Sequence, residues 1–312
     1  MLVAFVALIP VFAVIALGFT LRKSGVIPAE HWRGVELISF WILFPALLIN
    51  TLSGADLSIS ALTPFALAVL MMVVTICLFV WALRPWLSRH WQGNGPAFTS
   101  IFQTSTRWHG FIALAVVDKL FGAPGLAILA VAFVVMVPFL NVVNILVLAT
   151  YAGKTRATLS MIARSLARNP MLWGVGLGFL VNITAVRLPG PLLATLDLLS
   201  RGALGVSLLA LGAGLSWNAM KTSGREVFLS ATLKLIVMPL LGALFAFLFQ
   251  VQGNQFTIII IAAAVPTAVN GYALARAMGG DAELYAAAST AQVLASFITL
   301  PLFVWSAQQL AG

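Results

Sequence analysis

Charged side chains are scarce in this chain. Of its 312 residues only 8% are Asp, Glu, Lys or Arg, whereas 62% are hydrophobic. A soluble domain carries about 25% charged residues, so the composition predicts an integral membrane protein embedded in a lipid bilayer. The net charge of +9 is not gathered into a dense basic stripe, which argues against nucleic acid as a partner.

Cysteine and the usual catalytic motifs are scarce as well. The single cysteine, Cys77, excludes an internal disulfide and offers no metal cluster. The eight acidic residues lie in predicted loops or near the ends of predicted spans, so no acidic pair is expected at mid-membrane. The sequence contains no His-Glu-x-x-His or Gly-x-Ser-x-Gly motif and no phosphate-binding Gly-x-x-x-x-Gly-Lys-Ser/Thr loop. We therefore expect no enzyme activity, no cofactor, no metal site and no carboxylate-driven cation antiport.

Long apolar runs dominate what is present. A membrane-spanning helix needs about 20 apolar residues, and ten runs are close to this length. They are residues 2–21, 35–52, 62–83, 96–121, 125–150, 169–186, 192–215, 227–249, 256–278 and 282–308. The sequence thus predicts an all-α membrane protein with ten transmembrane helices. The first run has no basic region before it, so we expect a retained span and not a cleaved signal peptide.

Lysine and arginine residues predict the orientation. They concentrate in the odd-numbered loops, whereas the even-numbered loops hold only Lys119 and Arg187. Because loops rich in Lys and Arg stay in the cytoplasm, both termini are expected outside a bacterial inner (plasma) membrane. Three cations fall well inside predicted spans, away from the span ends: Arg107, Arg201 and Lys234. Asp197 and Arg201, one helical turn apart, are expected to pair, and Lys234 is expected to snorkel towards the cytoplasm.

The ten predicted spans divide into two halves. Residues 1–150 would form a first five-helix repeat and residues 169–312 a second, joined by a basic cytoplasmic segment, residues 151–168, that runs along the surface. Because five is odd, the second half must enter the membrane inverted. Spans four and nine are interrupted at matching places, by Arg107-Trp108-His109-Gly110 and by residues 266–271. A pair of interrupted spans is the best sequence indication of a transporter binding site.

The two interruptions would suit an anion. Helices that resume after Gly110 and Gly271 present unpaired N–H groups and positive dipole ends, which favour a carboxylate. Arg107 could hold that carboxylate with two parallel hydrogen bonds. The predicted substrate-binding residues are Thr104, Ser105, Arg107, His109, Gly110, Pro266, Asn270, Gly271, Asn50, Asn141 and Gln292.

Other interpretations of these residues stay open at this point. The interruptions could be kinks in packed helices, and Arg107 could form a structural pair with a carbonyl or carboxylate. His109 could couple transport to protons, since the unperturbed histidine pKa lies near neutrality, or could act as a neutral hydrogen-bonding residue. Asn141 and Gln292 could line a cavity or hold helices together.

Four motifs, taken in order, resemble those of a known family. They are Phe44-Pro45-Ala46, Arg107-Trp108-His109-Gly110, residues 208–215 (Leu-Leu-Ala-Leu-Gly-Ala-Gly-Leu) and Pro266-x-x-x-Asn270. Over nearly its whole length the chain resembles the auxin efflux carrier (PIN-like) family, including bacterial malonate and malate carriers. The resemblance implies an inverted-repeat fold related to the bile acid–sodium symporters, with broken helices four and nine crossing. It also implies a scaffold domain of helices 1, 2, 6 and 7 and a transport domain of helices 3–5 and 8–10 that moves like an elevator.

Three functional hypotheses follow. The first is a secondary transporter of small organic anions, mono- or dicarboxylates such as malonate or malate, with proton or sodium coupling and homodimer formation left open. The second is a sodium-coupled symporter of larger amphipathic anions, in which Asn141, Asn144, Thr267 and Gln292 contribute oxygen ligands. The third is a membrane receptor that binds a ligand without moving it. Because the sequence shows no soluble output domain, transport is the leading expectation.

Overall fold

A computed structural model gives the fold of the chain. It describes residues 2–55, 59–90, 94–153, 157–184, 186–216, 224–269 and 271–311. Within these residues the regular structure is helical and no β-strand occurs. Seven helical segments in this described part of the chain are long and apolar enough to cross a membrane, so the predicted all-helical membrane class is confirmed. Asn270 and the loop cations Lys154, Arg156 and Lys221 lie outside the described residues.

The helices are numbered in chain order. Their bounds are Leu2–Lys23 (α1), Trp32–Ile38 (α2), Phe44–Ser53 (α3), Ile59–Ala82 (α4), Arg84–His90 (α5), Gly95–Thr106 (α6), Gly110–Tyr151 (α7), Leu159–Ala167 (α8), Pro170–Thr184 (α9), Gly190–Gly214 (α10), Arg225–Thr232 (α11), Met238–Leu248 (α12), Gly253–Ala264 (α13), Gly271–Met278 (α14) and Ala282–Ala311 (α15). A 3-10 turn, Ala29–His31, precedes α2.

Two π-helical turns keep helices continuous past prolines. Ser39–Leu43 joins α2 to α3, and Leu233–Val237 joins α11 to α12. Each turn is followed by a proline near the start of the next helix, Pro45 or Pro239. Since proline has no N–H and crowds the preceding turn, we attribute the locally wider turn to these residues. Each pair of helices can then act as one membrane-crossing segment.

Several predicted spans differ from the helices that form. The sixth and ninth predicted spans contain apolar helices of only 15 and 12 residues, α9 and α13. The fourth and fifth lie in one stretch of 57 residues, Gly95–Tyr151. That stretch is interrupted after α6 and kinked at Gly122, whose φ of 58° and ψ of −152° are accessible to glycine. Within the described residues, length and apolarity alone therefore identify seven spanning segments and do not by themselves confirm the ten predicted.

Helix packing produces two groups. The most extensive contacts are those of α1 with α10 and of α3 with α9. Glycines permit both, because a Cβ at Gly212 of α10 would meet the backbone of Ile15, and one at Gly174 of α9 would meet the backbone of Pro45. Helices α4, α7, α12 and α13 pack on one another, and α15 packs on α6, α11, α13 and α14. Contacts between α1 and α15 and between α3 and α7 connect the two groups.

Two predictions about charged residues within spans have different outcomes. The pair of Arg201 and Asp197 is confirmed, with an Nη2–Oδ2 distance of 2.7 Å. The prediction that Lys234 snorkels is wrong, because its side chain is 0% exposed. Its Nζ donates to the Ala263 carbonyl at 3.0 Å and to Met238 Sδ at 2.9 Å. The π-helical turn that carries Lys234 packs against α13 and α15, so the side chain points inwards.

The connecting segment contains a helix that is not predicted from the sequence. In α8 no residue is buried, which agrees with a position along the surface. Thr158 begins the helix, and its Oγ1 accepts a hydrogen bond from the N–H of Met161 at 3.2 Å. Met161 and Ile162 contact a small apolar cluster of Ile145, Leu148 and Met278, which anchors α8 to the ends of α7 and α14.

Candidate functional site

A large cavity lies where α6 ends and α7 begins. Its volume is about 870 Å³, within the range of about 300–1,000 Å³ typical of small-molecule sites. Its wall includes Arg107, Trp108 and His109 from the first break, residues 107–109, and Ala268 and Val269 from the second break, residues 265–269. Helices α7, α10, α14 and α15 contribute further residues. The two interruptions therefore share one cavity, as the sequence predicts.

The two breaks begin with the same backbone geometry. Helices α6 and α13 each contain 12 residues. The residue that follows each is extended, with φ −65° and ψ 155° at Arg107 and φ −64° and ψ 147° at Val265. Helix α7 resumes at Gly110 and α14 at Gly271. The first N–H groups of a helix have no partner within it and carry the positive end of its dipole, so these starts favour a negatively charged ligand.

Arg107 brings a positive charge to the cavity wall. Its backbone N–H donates to the Gln103 carbonyl at 2.9 Å, which fixes the end of α6. Its guanidinium Nε is buried and has no hydrogen-bond partner among the described residues. Within that same part of the chain the only ion pair is the one between Arg201 and Asp197. A structural carboxylate partner for Arg107 is therefore not found there, and the guanidinium suits a carboxylate that enters the cavity.

His109 lies directly before α7 and also lines the cavity. Its side chain is 3% exposed, and neither ring nitrogen has a hydrogen-bond partner in the described part of the chain. Its ring meets the Phe111 ring edge-on, with 5.6 Å between centroids. Because nearly all buried polar atoms in proteins are hydrogen-bonded, this imidazole is suited to a polar group in the cavity, as donor or acceptor.

Aromatic rings hold the first break in place. Phe111 stacks on Phe44 of α3, with 3.9 Å between ring centroids and 6° between ring planes. Trp108 packs against Phe133, with 4.7 Å between centroids. A Cβ on Gly110 would lie 2.7 Å from the Phe133 ring, so glycine is needed where α7 begins. The first break is thus packed against both α3 and the middle of α7.

Gln292 of α15 joins the two breaks. Its Oε1 accepts from the Thr267 N–H at 2.9 Å, and its Nε2 donates to the Thr104 carbonyl at 3.0 Å. The Thr104 carbonyl is at the C-terminal end of α6, and Thr267 lies in the second break, so neither group has a full set of helical partners. Gln292 is buried and outside the cavity wall. Of its two open roles, the structure supports holding helices together.

Tyr285 supports the second break and was not identified from the sequence. Its side chain is fully buried. The hydroxyl donates to the Ala268 carbonyl and lies 3.3 Å from Thr267 Oγ1. A Cβ on Gly271 would overlap the phenol ring, so the glycine that begins α14 makes room for it. One feature of the sequence could have indicated this role: Tyr285 lies two helical turns before Gln292, on the same face of α15.

Three other predicted site residues are buried outside the cavity wall: Thr104, Ser105 and Pro266. Thr104 Oγ1 donates to the Ser100 carbonyl at 2.7 Å. Ser105 Oγ has no hydrogen-bond partner among the described residues. Pro266 has no N–H and so deprives the last turn of α13 of one donor. These residues shape the ends of the half-helices and do not line the cavity.

The predicted asparagines occupy different places. Asn141 of α7 lines the cavity. Asn144, one turn later, is buried and donates to the carbonyl four residues before it at 2.6 Å. Asn50 Nδ2 donates to Ser200 Oγ of α10 at 3.5 Å, so it contacts a neighbouring helix and not the cavity. Asn270 lies outside the described residues.

The cavity wall also contains polar residues that sequence reasoning missed. Residues with hydroxyl groups are Ser39, Ser207, Ser216, Tyr272 and Ser289. Exposed charged residues are Arg22, Arg33, Glu36 and Glu283. Arg22 and Arg33 lie on either side of the connection between α1 and α2, which is the first loop. The cavity therefore opens on the side of the molecule that carries this loop. Helical spacing alone gives no signal for these residues, because they meet only when distant helices pack together.

Comparison with known proteins identifies the family of the chain. The model of the family described as membrane transport protein matches residues 3–304. An uncharacterized transporter of Methanothermobacter thermautotrophicus is 24% identical over 302 residues, 95% of each chain. The uncharacterized transporter YfdV of Escherichia coli K12 is 23% identical over 304 residues, 96% of each chain. The chain therefore belongs to the membrane transport protein family, which includes the auxin efflux carriers it resembles, and it is a membrane transporter, not an enzyme.

Proposed function

We propose that the protein is a secondary active or facilitated transporter of small organic anions, mono- or dicarboxylates such as malonate or malate. One observation carries the proposal: Arg107 faces a cavity shared by both breaks and forms no ion pair among the described residues. One carboxylate would accept two hydrogen bonds from its guanidinium. The N–H groups that begin α7 and the ring of His109 would hold the remaining oxygens.

A thermal-shift screen of purified protein against organic acids, with and without sodium, tests this function. Ligand binding stabilises the native state by mass action, by about 2.7 kcal/mol at a hundredfold excess over Kd. We expect malonate or malate to raise the unfolding midpoint and the uncharged malonamide to leave it unchanged. Proteoliposomes should then show counterflow of the labelled acid. Equal shifts with acid and amide, or no shift with any acid, would contradict an anion site.

His109 is the proposed residue for proton coupling. If the imidazole takes up and releases a proton during the cycle, the rate of uptake should vary with pH between about 5 and 8. In His109→Gln, which keeps a donor and an acceptor but does not titrate, that variation should disappear while uptake continues. Initial rates in proteoliposomes across this pH range measure the effect. An unchanged pH profile in the variant would remove His109 from the coupling mechanism.

We further propose the inverted-repeat architecture of ten crossing helices. Support comes from the matching lengths of α6 and α13 and the matching dihedral angles of Arg107 and Val265. It also comes from the reciprocal packing of α1 with α10 and of α3 with α9, which would be the scaffold of helices 1, 2, 6 and 7. The segments before and after residues 151–168 would be the two repeats. The other group of helices would carry the cavity through the membrane by an elevator movement.

A reversible cross-link tests the elevator movement. Phe12 of α1 stacks on Phe297 of α15, with 4.0 Å between ring centroids, at the boundary between the two groups. In a Phe12→Cys/Phe297→Cys double variant, a disulfide should stop uptake, and reduction should restore it, because α15 could no longer slide along α1. Each single variant should be indifferent to oxidant. Full uptake by the oxidised, cross-linked protein would contradict relative movement of α1 and α15.

The orientation and assembly of the protein are also proposals. The side that carries the first loop would be cytoplasmic in a bacterial inner membrane, with both termini periplasmic, so the cavity would open inwards. Arg201 lies near the middle of α10 and Asp197 one turn before it, with side chains 76% and 46% exposed. Charges exposed to hydrocarbon are costly, so this face favours contact with a second copy in a homodimer. A monomeric mass in native mass spectrometry would contradict it.

Sodium-coupled symport of a larger amphipathic anion is the alternative. Its oxygen ligands would come from Asn141, Asn144, Thr267 and Gln292. The Gln292 Oε1 already accepts from the Thr267 N–H, which disfavours Gln292 as a ligand, whereas the Asn144 Oδ1 has no hydrogen-bond partner among the described residues. Uptake that is unchanged without sodium would dismiss it. Counterflow of labelled ligand would dismiss the remaining possibility of a receptor that does not transport.

A further inference from the structure

Lys234 is a buried cation that the proposed substrate site does not use. It is 0% exposed and is not part of the cavity wall. Its Nζ donates to the Ala263 carbonyl at 3.0 Å and lies 2.9 Å from Met238 Sδ. Among the described residues it forms no ion pair with a carboxylate. Burying an ammonium group without a counter-ion is costly, so its position needs a physical reason.

The carbonyl that Lys234 contacts lies at the C-terminal end of α13. In a continuous helix the Ala263 carbonyl would accept from the N–H of Thr267, but that N–H donates to Gln292 instead. Pro266 offers no N–H at all. The last turn of α13 therefore lacks donors, and its carbonyls carry the negative end of the helix dipole. Lys234 supplies both a donor and a positive charge at this point.

At the corresponding C-terminal end of α6, the side chain that donates to a free carbonyl is uncharged. There the Thr104 carbonyl accepts from the neutral amide of Gln292 at 3.0 Å. The two half-helix ends thus differ, with an amide at α6 and an ammonium group at α13. In transporters built from broken helices, C-terminal half-helix ends and unwound carbonyls are places where coupling cations are coordinated.

Carboxylates from the surrounding helices do not account for Lys234. The π-helical turn that carries it packs against α6, α11, α12, α13 and α15. The charged residues on these helices are Arg225, Glu226 and Glu283. Glu226 lines a separate small pocket beside Arg84, and Glu283 lines the mouth of the main cavity. The carbonyl end of α13 and the Met238 thioether are therefore the groups that receive the ammonium.

We propose that Lys234 is a resident cation, held by the chain at the end of α13 in a site that would otherwise take a free monovalent cation. Because the ammonium group is covalently attached, this end of the helix stays neutralised without bound sodium. Shortening the side chain should open the site to a primary ammonium ion or to Na⁺. The expectation that transport does not depend on sodium rests on the proposed transport function, whereas the cation site itself does not.

Chemical rescue of a shortened side chain tests the site in the full-length protein. Lys234→Ala removes a propylammonium-sized group, so purified variant should unfold several degrees below wild type. We expect propylammonium chloride or sodium chloride to restore at least half of this loss. Tetramethylammonium chloride at equal ionic strength, which lacks N–H donors, should restore none of it. Lys234→Met, which fills the volume without charge, is the matched control and should respond to no salt.

Two results would overturn the proposal: equal midpoints for wild type, Lys234→Ala and Lys234→Met, or a lowered Lys234→Ala midpoint that no cation raises. If Lys234→Ala fails to fold, the sodium dependence of wild-type uptake tests the proposal instead. Replacing sodium by N-methylglucamine should change the rate less than twofold, and a tenfold fall would overturn the proposal. Absence of uptake in both media, together with cation rescue of stability, would contradict the transport function while supporting the cation site.

Discussion

Arg107→Ala should reduce the rate of uptake into proteoliposomes by more than a hundredfold while the protein still folds. Removing one partner of a buried, charge-assisted contact costs about 3 kcal/mol, which is more than a factor of 100 in affinity. The guanidinium Nε has no protein hydrogen-bond partner within the described residues, so few native contacts are lost. The unfolding midpoint should therefore stay close to that of wild type. Initial rates over a range of substrate concentrations, with a thermal melt of the same preparation, measure both effects.

Two further variants separate geometry from charge. Arg107→Lys keeps the positive charge but loses the planar fork that binds a carboxylate twice, so we expect an intermediate loss, mainly as a higher KM. Arg276→Ala removes an exposed arginine of α14 that is outside the cavity wall, and its uptake should stay within twofold of wild type. Unaltered saturation kinetics in Arg107→Ala, or an equal loss in Arg276→Ala, would remove Arg107 from substrate binding.

The two breaks contribute differently to the cavity. The first break places Arg107 and His109 in the wall, whereas the second contributes the apolar residues Ala268 and Val269. The positive charge that would attract an anion therefore comes mainly from the first break, together with the helix start at Gly110. The second break mainly sets the shape of the wall. This asymmetry was expected from the sequence, because the matching position of the second break carries no ionisable side chain.

Local sequence was sufficient to locate the breaks. The polar run that ends in Arg107 is followed by Gly110 inside an apolar stretch, and Pro266 interrupts another. Irregular backbone inside a membrane protein must face protein or a water-filled cavity, so the shared cavity could be expected before the structure. The helix ends at Thr106 and Ala264 fall where these residues predict them.

Contacts between distant helices could not be predicted in this way. Helical spacing identifies the face on which a side chain lies but not the atoms opposite it. Gln292 was therefore assigned to the substrate site although it bonds both breaks, and Tyr285 was missed. Lys234 was expected to reach water, as lysines near a membrane surface usually do, but α13 and α15 enclose its side chain.

Gln292→Leu should lower the unfolding midpoint of the purified protein and should reduce uptake at least tenfold. The substitution leaves the Thr267 N–H and the Thr104 carbonyl buried without their partner. Each unsatisfied buried group costs about 1–3 kcal/mol, so a total loss of about 3 kcal/mol in the free energy of unfolding is expected. Uptake should fall as well, because the relative position of the two breaks, which the Gln292 amide fixes, sets the geometry of the cavity they share.

Ser296→Ala is the matched control for this effect, one helical turn further along α15. Ser296 is also fully buried, but its Oγ donates to the carbonyl of Val293 in its own helix at 2.6 Å, so its loss leaves no bond between the breaks unmade. We expect its unfolding midpoint and its uptake to stay close to those of wild type. If Gln292→Leu were as stable and as active as Ser296→Ala, the two breaks would not depend on Gln292. A stable but inactive Gln292→Leu would mean that its amide serves the geometry of the cavity more than the stability of the fold.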